Sequence, residues 1–92
     1  RKQSAQARQE IANRTRPLRN EVQQIDGRLA KLGAEKADLE ASLASGKLSG
    51  AEIADAGRRL NHVAAEVAML EERWLELQGE IELFGSKATR GA

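Results

Sequence analysis

The chain has 92 residues, of which 40% are hydrophobic and 32% charged, and its only aromatic residues are one Trp and one Phe. This length allows one small domain, and two aromatic residues cannot build a large globular core. No apolar run approaches the roughly 20 residues of a membrane span, and the N-terminus has no signal-peptide pattern. The absence of cysteine excludes disulfides and zinc–thiolate sites and favours a reducing, cytoplasmic location.

The net charge of +1 conceals an uneven distribution of charge along the chain. Residues 1–31 contain eight basic and three acidic side chains, a net charge of +5. Residues 67–84 contain five glutamates and one arginine, a net charge of −4. The first part of the chain is therefore basic and the last part acidic, which points to charged surfaces or to pairing between the two segments.

The first predicted element is a basic helical extension over residues 1–16, followed by Pro17. Proline costs about 3 kcal/mol in a helix interior but little in a first turn. Either the long helix starts near residues 15–17, or a preceding helix over residues 2–15 kinks there. Ile11 keeps the apolar register of the following segment, which favours a kinked or interrupted helix.

Two amphipathic helices are predicted next, over residues 17–44 and 51–84. In each, apolar residues recur in alternating steps of four and three, which is the 3.5-residue repeat of a coiled-coil seam. Lys36 and Ala56 fill the gaps in the two repeats. The predicted seam residues are Leu18, Val22, Ile25, Leu29, Leu32 and Leu39 in the first helix, and Leu60, Val63, Val67, Leu70, Trp74 and Leu77 in the second.

Residues 45–50 are the predicted turn between the helices, since they are rich in Gly and Ser. Ser49 followed by Glu52 is a capping box that starts the second helix. So short a break favours an antiparallel αα-hairpin, and we expect the tail, residues 85–92, to be disordered. The predicted fold is thus all-α, an antiparallel two-helix coiled coil with a basic N-terminal extension.

The seam residues pair consistently when their numbers total 92. Leu32 then faces Leu60, and Leu18 faces Trp74, which predicts a core role for Trp74 at the open end of the hairpin and not a base-stacking role. The same register lays the basic arm beside the acidic arm, so we expect the two charge clusters to offset each other. A parallel dimer also satisfies the heptads, but the glycine break and the register favour a monomeric hairpin.

Residues with catalytic or metal-binding patterns are missing from the sequence. His62 lies off the seam without a Cys or an HExxH partner, as expected for a solvated helix residue. Neither the GxxxxGK[ST] nor the GxGxxG phosphate-binding pattern occurs. We expect no catalytic residue, no metal, no cofactor and no enzymatic activity in this piece.

The basic arm is the one candidate binding site in the sequence. Arginine and lysine side chains supply most of the affinity of proteins for nucleic acids through phosphate contacts. Without interleaved aromatic residues, such binding is led by the backbone and depends little on sequence. The alternative is a structural or protein-interaction coiled coil that binds no nucleic acid. The predicted phosphate contacts are Arg8, Arg14, Arg16 and Arg19.

Two segments resemble a known family. "RPLRNEVQQIDGRLAKL" (16–32) and "LEERWLELQGEIE" (70–82) are similar to the C-terminal coiled-coil domain of ABC-F ATPases of the Uup and YheS type. The resemblance spans about residues 5–84. It departs from the family at the hairpin tip, which lacks a longer acidic-proline or tyrosine-bearing segment. The matching residues are Pro17, Leu18, Arg19, Glu71, Glu72, Trp74, Leu75 and Glu76.

This resemblance implies that the chain is an accessory domain of a longer protein. The parent would bind ATP and Mg²⁺ and hydrolyse ATP in two upstream cassettes, which would also be partners of this domain. The domain itself would bind DNA or ribosomal RNA, without membrane insertion.

Overall fold

The computed structural model describes the backbone of residues 2–90 and the side chains of residues 4–85. It contains two helices, α1 (Lys2–Ala44) and α2 (Gly50–Arg90), and no strand in this range. The predicted all-α antiparallel hairpin is confirmed. Within residues 2–90, neither helix contains a stretch with the length and hydropathy of a membrane span.

The hairpin divides into two compact units. The tip unit is Asp26–Glu71, and the terminal unit combines α1 as far as Ile25 with α2 from Glu72. In the tip unit, Leu32 and Val63 are each 1% exposed and Ala56 is 7% exposed. These are seam positions, so burial follows the 3.5-residue repeat.

Two ion pairs join the helices of the tip unit. Arg28 donates to both carboxylate oxygens of Glu66, at 2.5 and 2.9 Å, and Arg59 donates to both of Glu35, at 2.6 and 2.8 Å. Each of these four residues immediately precedes a seam position. Their numbers total 94 in both pairs, whereas seam partners total 92, because these residues flank the seam and do not lie on it. Flanking residues of the two helices meet in this way in the predicted antiparallel register.

The core of the terminal unit contains one polar residue that is not among the predicted seam residues. Val22, Ile25 and Leu77 are buried, and so is Thr15, which is 2% exposed. Thr15 lies three residues before Leu18 and so occupies the preceding seam position. Its number and that of Leu77 total 92, so the two residues are partners in the predicted register. Threonine is polar and stands two residues before the proline, so the apolar repeat alone does not predict its burial.

Helix α1 runs through Pro17 without a break, so a helix start at residue 17 and an interrupted helix are wrong, whereas the kink at Pro17 stays a prediction. Pro17 is exposed, and water can reach the carbonyl group of Asn13 that the missing N–H leaves unbonded. The seam continues through Thr15 and, half-buried, Ile11, and this packing offsets the cost of the proline.

The turn and the C-terminal end also differ from the predicted bounds. Gly46 has a φ of 72°, a left-handed conformation that favours glycine after a helix end. The Ser49 hydroxyl accepts from the Glu52 N–H and the Glu52 carboxylate from the Ser49 N–H, as predicted, and α2 begins at Gly50. It continues to Arg90 instead of ending at Phe84. Residues 91 and 92 lie outside the described range.

Candidate nucleic-acid interface

Most arginines with described side chains are engaged in ion pairs. Arg28, Arg59 and Arg73 bridge the two helices, while Arg14 pairs with Glu10 and Arg58 with Asp55 on their own helices. Three arginines of the described range have no acidic partner and are exposed: Arg8, Arg16 and Arg19. All three were predicted as phosphate contacts, and all lie in the N-terminal part of α1.

The helix brings these three side chains to one side. At 3.6 residues per turn, Arg8, Arg16 and Arg19 fall within an arc of about 80°, along about 16 Å of helix axis. Arg14, the fourth predicted contact, lies about 120° or more from each of them. Its guanidinium is 3.0 Å from the Glu10 carboxylate. The structure therefore groups three of the four predicted residues and places Arg14 apart, beside an acid.

The expected compensation between the basic and acidic arms is wrong within the terminal unit. Among its described side chains, none of the four predicted arginines pairs with a glutamate of α2. The ion pair that joins the two helices of this unit has the opposite arrangement of charge: its arginine, Arg73, belongs to α2 and its glutamate, Glu21, to α1. Glu76 pairs with Arg73 of its own helix at 3.2 Å. Register explains only part of this, since Arg8, Arg16 and Arg19 do not lie at positions that immediately precede a seam residue. Arg14 does precede one, Thr15, and its number totals 94 with that of Glu80, but its guanidinium pairs with Glu10 of its own helix instead.

The sequence of this chain matches a known protein family. The ABC transporter C-terminal domain family matches residues 13–79, almost three quarters of the sequence. The chain belongs to the ABC transporter C-terminal domain family. No curated protein and no solved structure gives a match.

The matched span of this ABC transporter C-terminal domain includes Arg14, Arg16 and Arg19 and begins after Arg8. It also includes Trp74, which is half-buried, so its indole is not freely available for base stacking. The Trp74 Nε1 is buried and has no hydrogen-bond partner in the described range. The indole therefore belongs to the packing of the terminal unit, at the end of the seam where it was predicted.

The side chains near these arginines on α1 are mostly polar amides. Polar, uncharged side chains surround them on α1, among them Gln9, Asn13 and Asn20, all exposed. These amides can donate hydrogen bonds to phosphate or sugar oxygens. Across the described side chains, no group of three or more acidic or histidine residues could hold a metal ion. The arrangement suits the binding of a polyanion on a convex helix surface.

Proposed function

We propose that this domain is a nucleic-acid-binding accessory domain of an ABC-F-type ATPase, acting in the cytoplasm. Membership of the ABC transporter C-terminal domain family supports its accessory place in an ABC protein. ATP and Mg²⁺ would be bound by upstream cassettes, and this domain would add contacts to DNA or ribosomal RNA as a monomeric hairpin. The observation that carries the proposal is the cluster of unpaired Arg8, Arg16 and Arg19.

Unpaired arginines are informative in this chain because the other described arginines are ion-paired. In an exposed arginine without a carboxylate partner, the positive charge is not neutralised and the N–H donors are available to an external anion. Three of them along about 16 Å of helix match a ligand whose charges repeat along its length, since duplex DNA carries a phosphate every 3.4 Å on each strand. A small anion would need a pocket, whereas a polyanion needs only a charged ridge.

The contact would be made to the phosphates and not to base edges. Arg16 and Arg19 lie one turn apart on a helix with no exposed aromatic residue beside them. Binding would therefore be led by counterion release, with weak sequence preference. Arg14 would contribute less than the other three, because its guanidinium already pairs with Glu10.

Salt-dependent binding tests the proposal. We expect Arg16→Gln with Arg19→Gln to weaken binding to duplex DNA or structured RNA and to lower the slope of log K against log salt by about two units. The matched control is Lys31→Gln with Lys47→Gln, which removes the same charge from exposed, unpaired positions of the tip unit. It should change the slope little.

The outcomes separate the two function classes. Equal effects of the two double variants would assign binding to net charge alone and would reject the arginine cluster. If the unchanged domain binds neither DNA nor RNA at low salt, the domain is a structural or protein-interaction coiled coil instead. Circular dichroism of each variant checks that the helices persist.

A further inference from the structure

A second apolar row lies on the outer face of α2 in the terminal unit, opposite the seam. Leu75, Gly79 and Leu83 are spaced four residues apart, so they line up along one side of the helix. Leu77, which is 0% exposed in the core, lies about 160° around the helix from Gly79. Leu75 is 65% exposed and Leu83 57% exposed, so this row has no partner within the described residues.

Glycine at the centre of the row leaves a gap between the two leucines. A Cβ atom at Gly79 would meet nothing within 4 Å, so no contact inside the protein requires glycine there. Glycine in a helix interior costs about 1 kcal/mol relative to alanine. Two leucines on either side of a bare backbone position form a hole of the kind that receives a side chain of a neighbouring helix.

Glutamates border this row on both sides. Glu76 and Glu80 lie along one flank and Glu82 along the other, at about 60 to 100° from Gly79. Glu80 and Glu82 are exposed and have no ion-pair partner among the described side chains, while Glu76 is shared with Arg73. An apolar centre with acidic flanks complements an apolar centre with basic flanks.

We propose that the Leu75–Gly79–Leu83 row is a docking surface for a basic amphipathic helix of another polypeptide. An apolar side chain of that helix would enter the gap at Gly79, and its lysines or arginines would pair with Glu80 and Glu82. This inference goes beyond the proposed nucleic-acid function, because it uses the acidic helix and a different type of partner.

Charge argues against a second copy of this chain as the occupant. Two copies that packed the row against itself would bring the same glutamates face to face. The basic side of α1 offers no apolar row to cover the leucines, since its outward residues include Gln6, Gln9, Asn13 and Asn20, all exposed. A basic helix with its own apolar stripe satisfies both requirements.

A synthetic helical peptide tests the surface. The probe has about 20 residues, with leucines on one face and lysines flanking them, and its control has glutamates in place of the lysines. We expect saturable, one-to-one binding of the lysine peptide by titration calorimetry and none of the glutamate peptide. Failure of the lysine peptide to bind at about 100 μM, a range that detects even weak complexes, would overturn the proposal.

Matched variants localise the binding. We expect Leu75→Ser or Leu83→Ser to weaken peptide binding about tenfold or more, as for a buried anchor residue. Met69→Ser removes another apolar side chain of α2, 67% exposed, and should change affinity less than about twofold. Equal losses from Met69→Ser and the leucine variants would reject the row as the site.

Charge and shape have their own controls. Glu80→Gln with Glu82→Gln should weaken binding, whereas Asp26→Asn with Asp38→Asn removes the same charge from exposed, unpaired positions and should not. Gly79→Gln fills the gap without adding charge and raises helix propensity, so a loss of binding in that variant is neither a charge effect nor a loss of folding. Unchanged binding with Gly79→Gln would overturn the proposal, and so would sedimentation data that show dimers formed through the row. Arg16→Gln with Arg19→Gln should leave peptide binding intact, which keeps this test separate from that of the nucleic-acid site.

Discussion

Arg73 of α2 donates hydrogen bonds to both carboxylate oxygens of Glu21 of α1, from Nε at 2.7 Å and from an Nη at 3.1 Å. This fork-shaped contact is the most specific geometry that an arginine and a carboxylate can adopt. It repeats the Arg28–Glu66 and Arg59–Glu35 pairs of the tip unit, one heptad apart along each helix. In each of the three pairs the arginine and the glutamate come from different helices, so each pair joins α1 and α2 within its own unit.

The direction of the Arg73–Glu21 pair can be tested by charge reversal. We expect Glu21→Arg alone to lower the melting temperature, because it places two guanidinium groups together. Glu21→Arg combined with Arg73→Glu should recover most of that loss, since the pair is rebuilt with its ends exchanged. The effect should shrink in high salt, because both side chains are partly exposed. A double variant no more stable than Glu21→Arg would contradict the pairing.

Acid should weaken the three bridges. Hydrogen bonds from Arg73, Arg59 and Arg28 hold the pKa of Glu21, Glu35 and Glu66, respectively, below the ordinary value. A carboxylate whose pKa is lower in the folded state contributes stability above its unfolded pKa of about 4.3 and loses it as pH falls through the folded pKa. We therefore expect the free energy of unfolding to fall as the solution is acidified below about pH 4.3.

Glutamine variants provide the control for this pH dependence. Exchanging all three glutamates for glutamine removes the titrating groups, so the variant should be less stable at pH 7 and its stability should depend less on pH in the acidic range. Denaturation curves at a series of pH values measure both effects. An equally steep acid dependence in the triple variant would show that other carboxylates control it.

Thr15 offers a stabilising substitution. Its hydroxyl is buried and donates to the Ala12 carbonyl at 3.4 Å, a long hydrogen bond. Thr15→Val keeps the branched shape and removes the buried hydroxyl, so we expect stability to rise by about 1 kcal/mol. Thr15→Ala leaves a void in the seam and should lower it. Urea denaturation followed by circular dichroism compares the variants, and a destabilised Thr15→Val would show that the hydroxyl is needed.

Trp74 should matter for stability more than for binding. The side chain is half-buried in the terminal unit, so Trp74→Ala should cost about 3 kcal/mol, the lower end of the range for core aromatics. Trp74→Phe should cost much less, since it retains the ring and removes a buried Nε1–H that has no described partner. Loss of nucleic-acid binding in a Trp74→Phe variant of unchanged melting temperature would reassign the indole to the interface.

The fold class, the seam and the turn could be predicted from the residues alone. Alternating steps of four and three are a local pattern, and a helix turns them into a stripe whatever its surroundings. The burial of Leu32, Val63 and Leu77 follows from this pattern. The capping box at Ser49 could also be predicted, because it depends on two residues three positions apart.

The pairing of the charged side chains and the continuity of α1 through Pro17 could not be predicted in this way. Ion pairing between helices depends on whether two side chains flank the seam at matching heights, so the charge totals of the two arms predicted the wrong direction for the terminal unit. Helix continuity through Pro17 depends on packing at Thr15, which outweighs the local preference of proline. For the same reason the sequence named four candidate arginines, and the structure separated Arg14, beside Glu10, from the unpaired Arg8, Arg16 and Arg19.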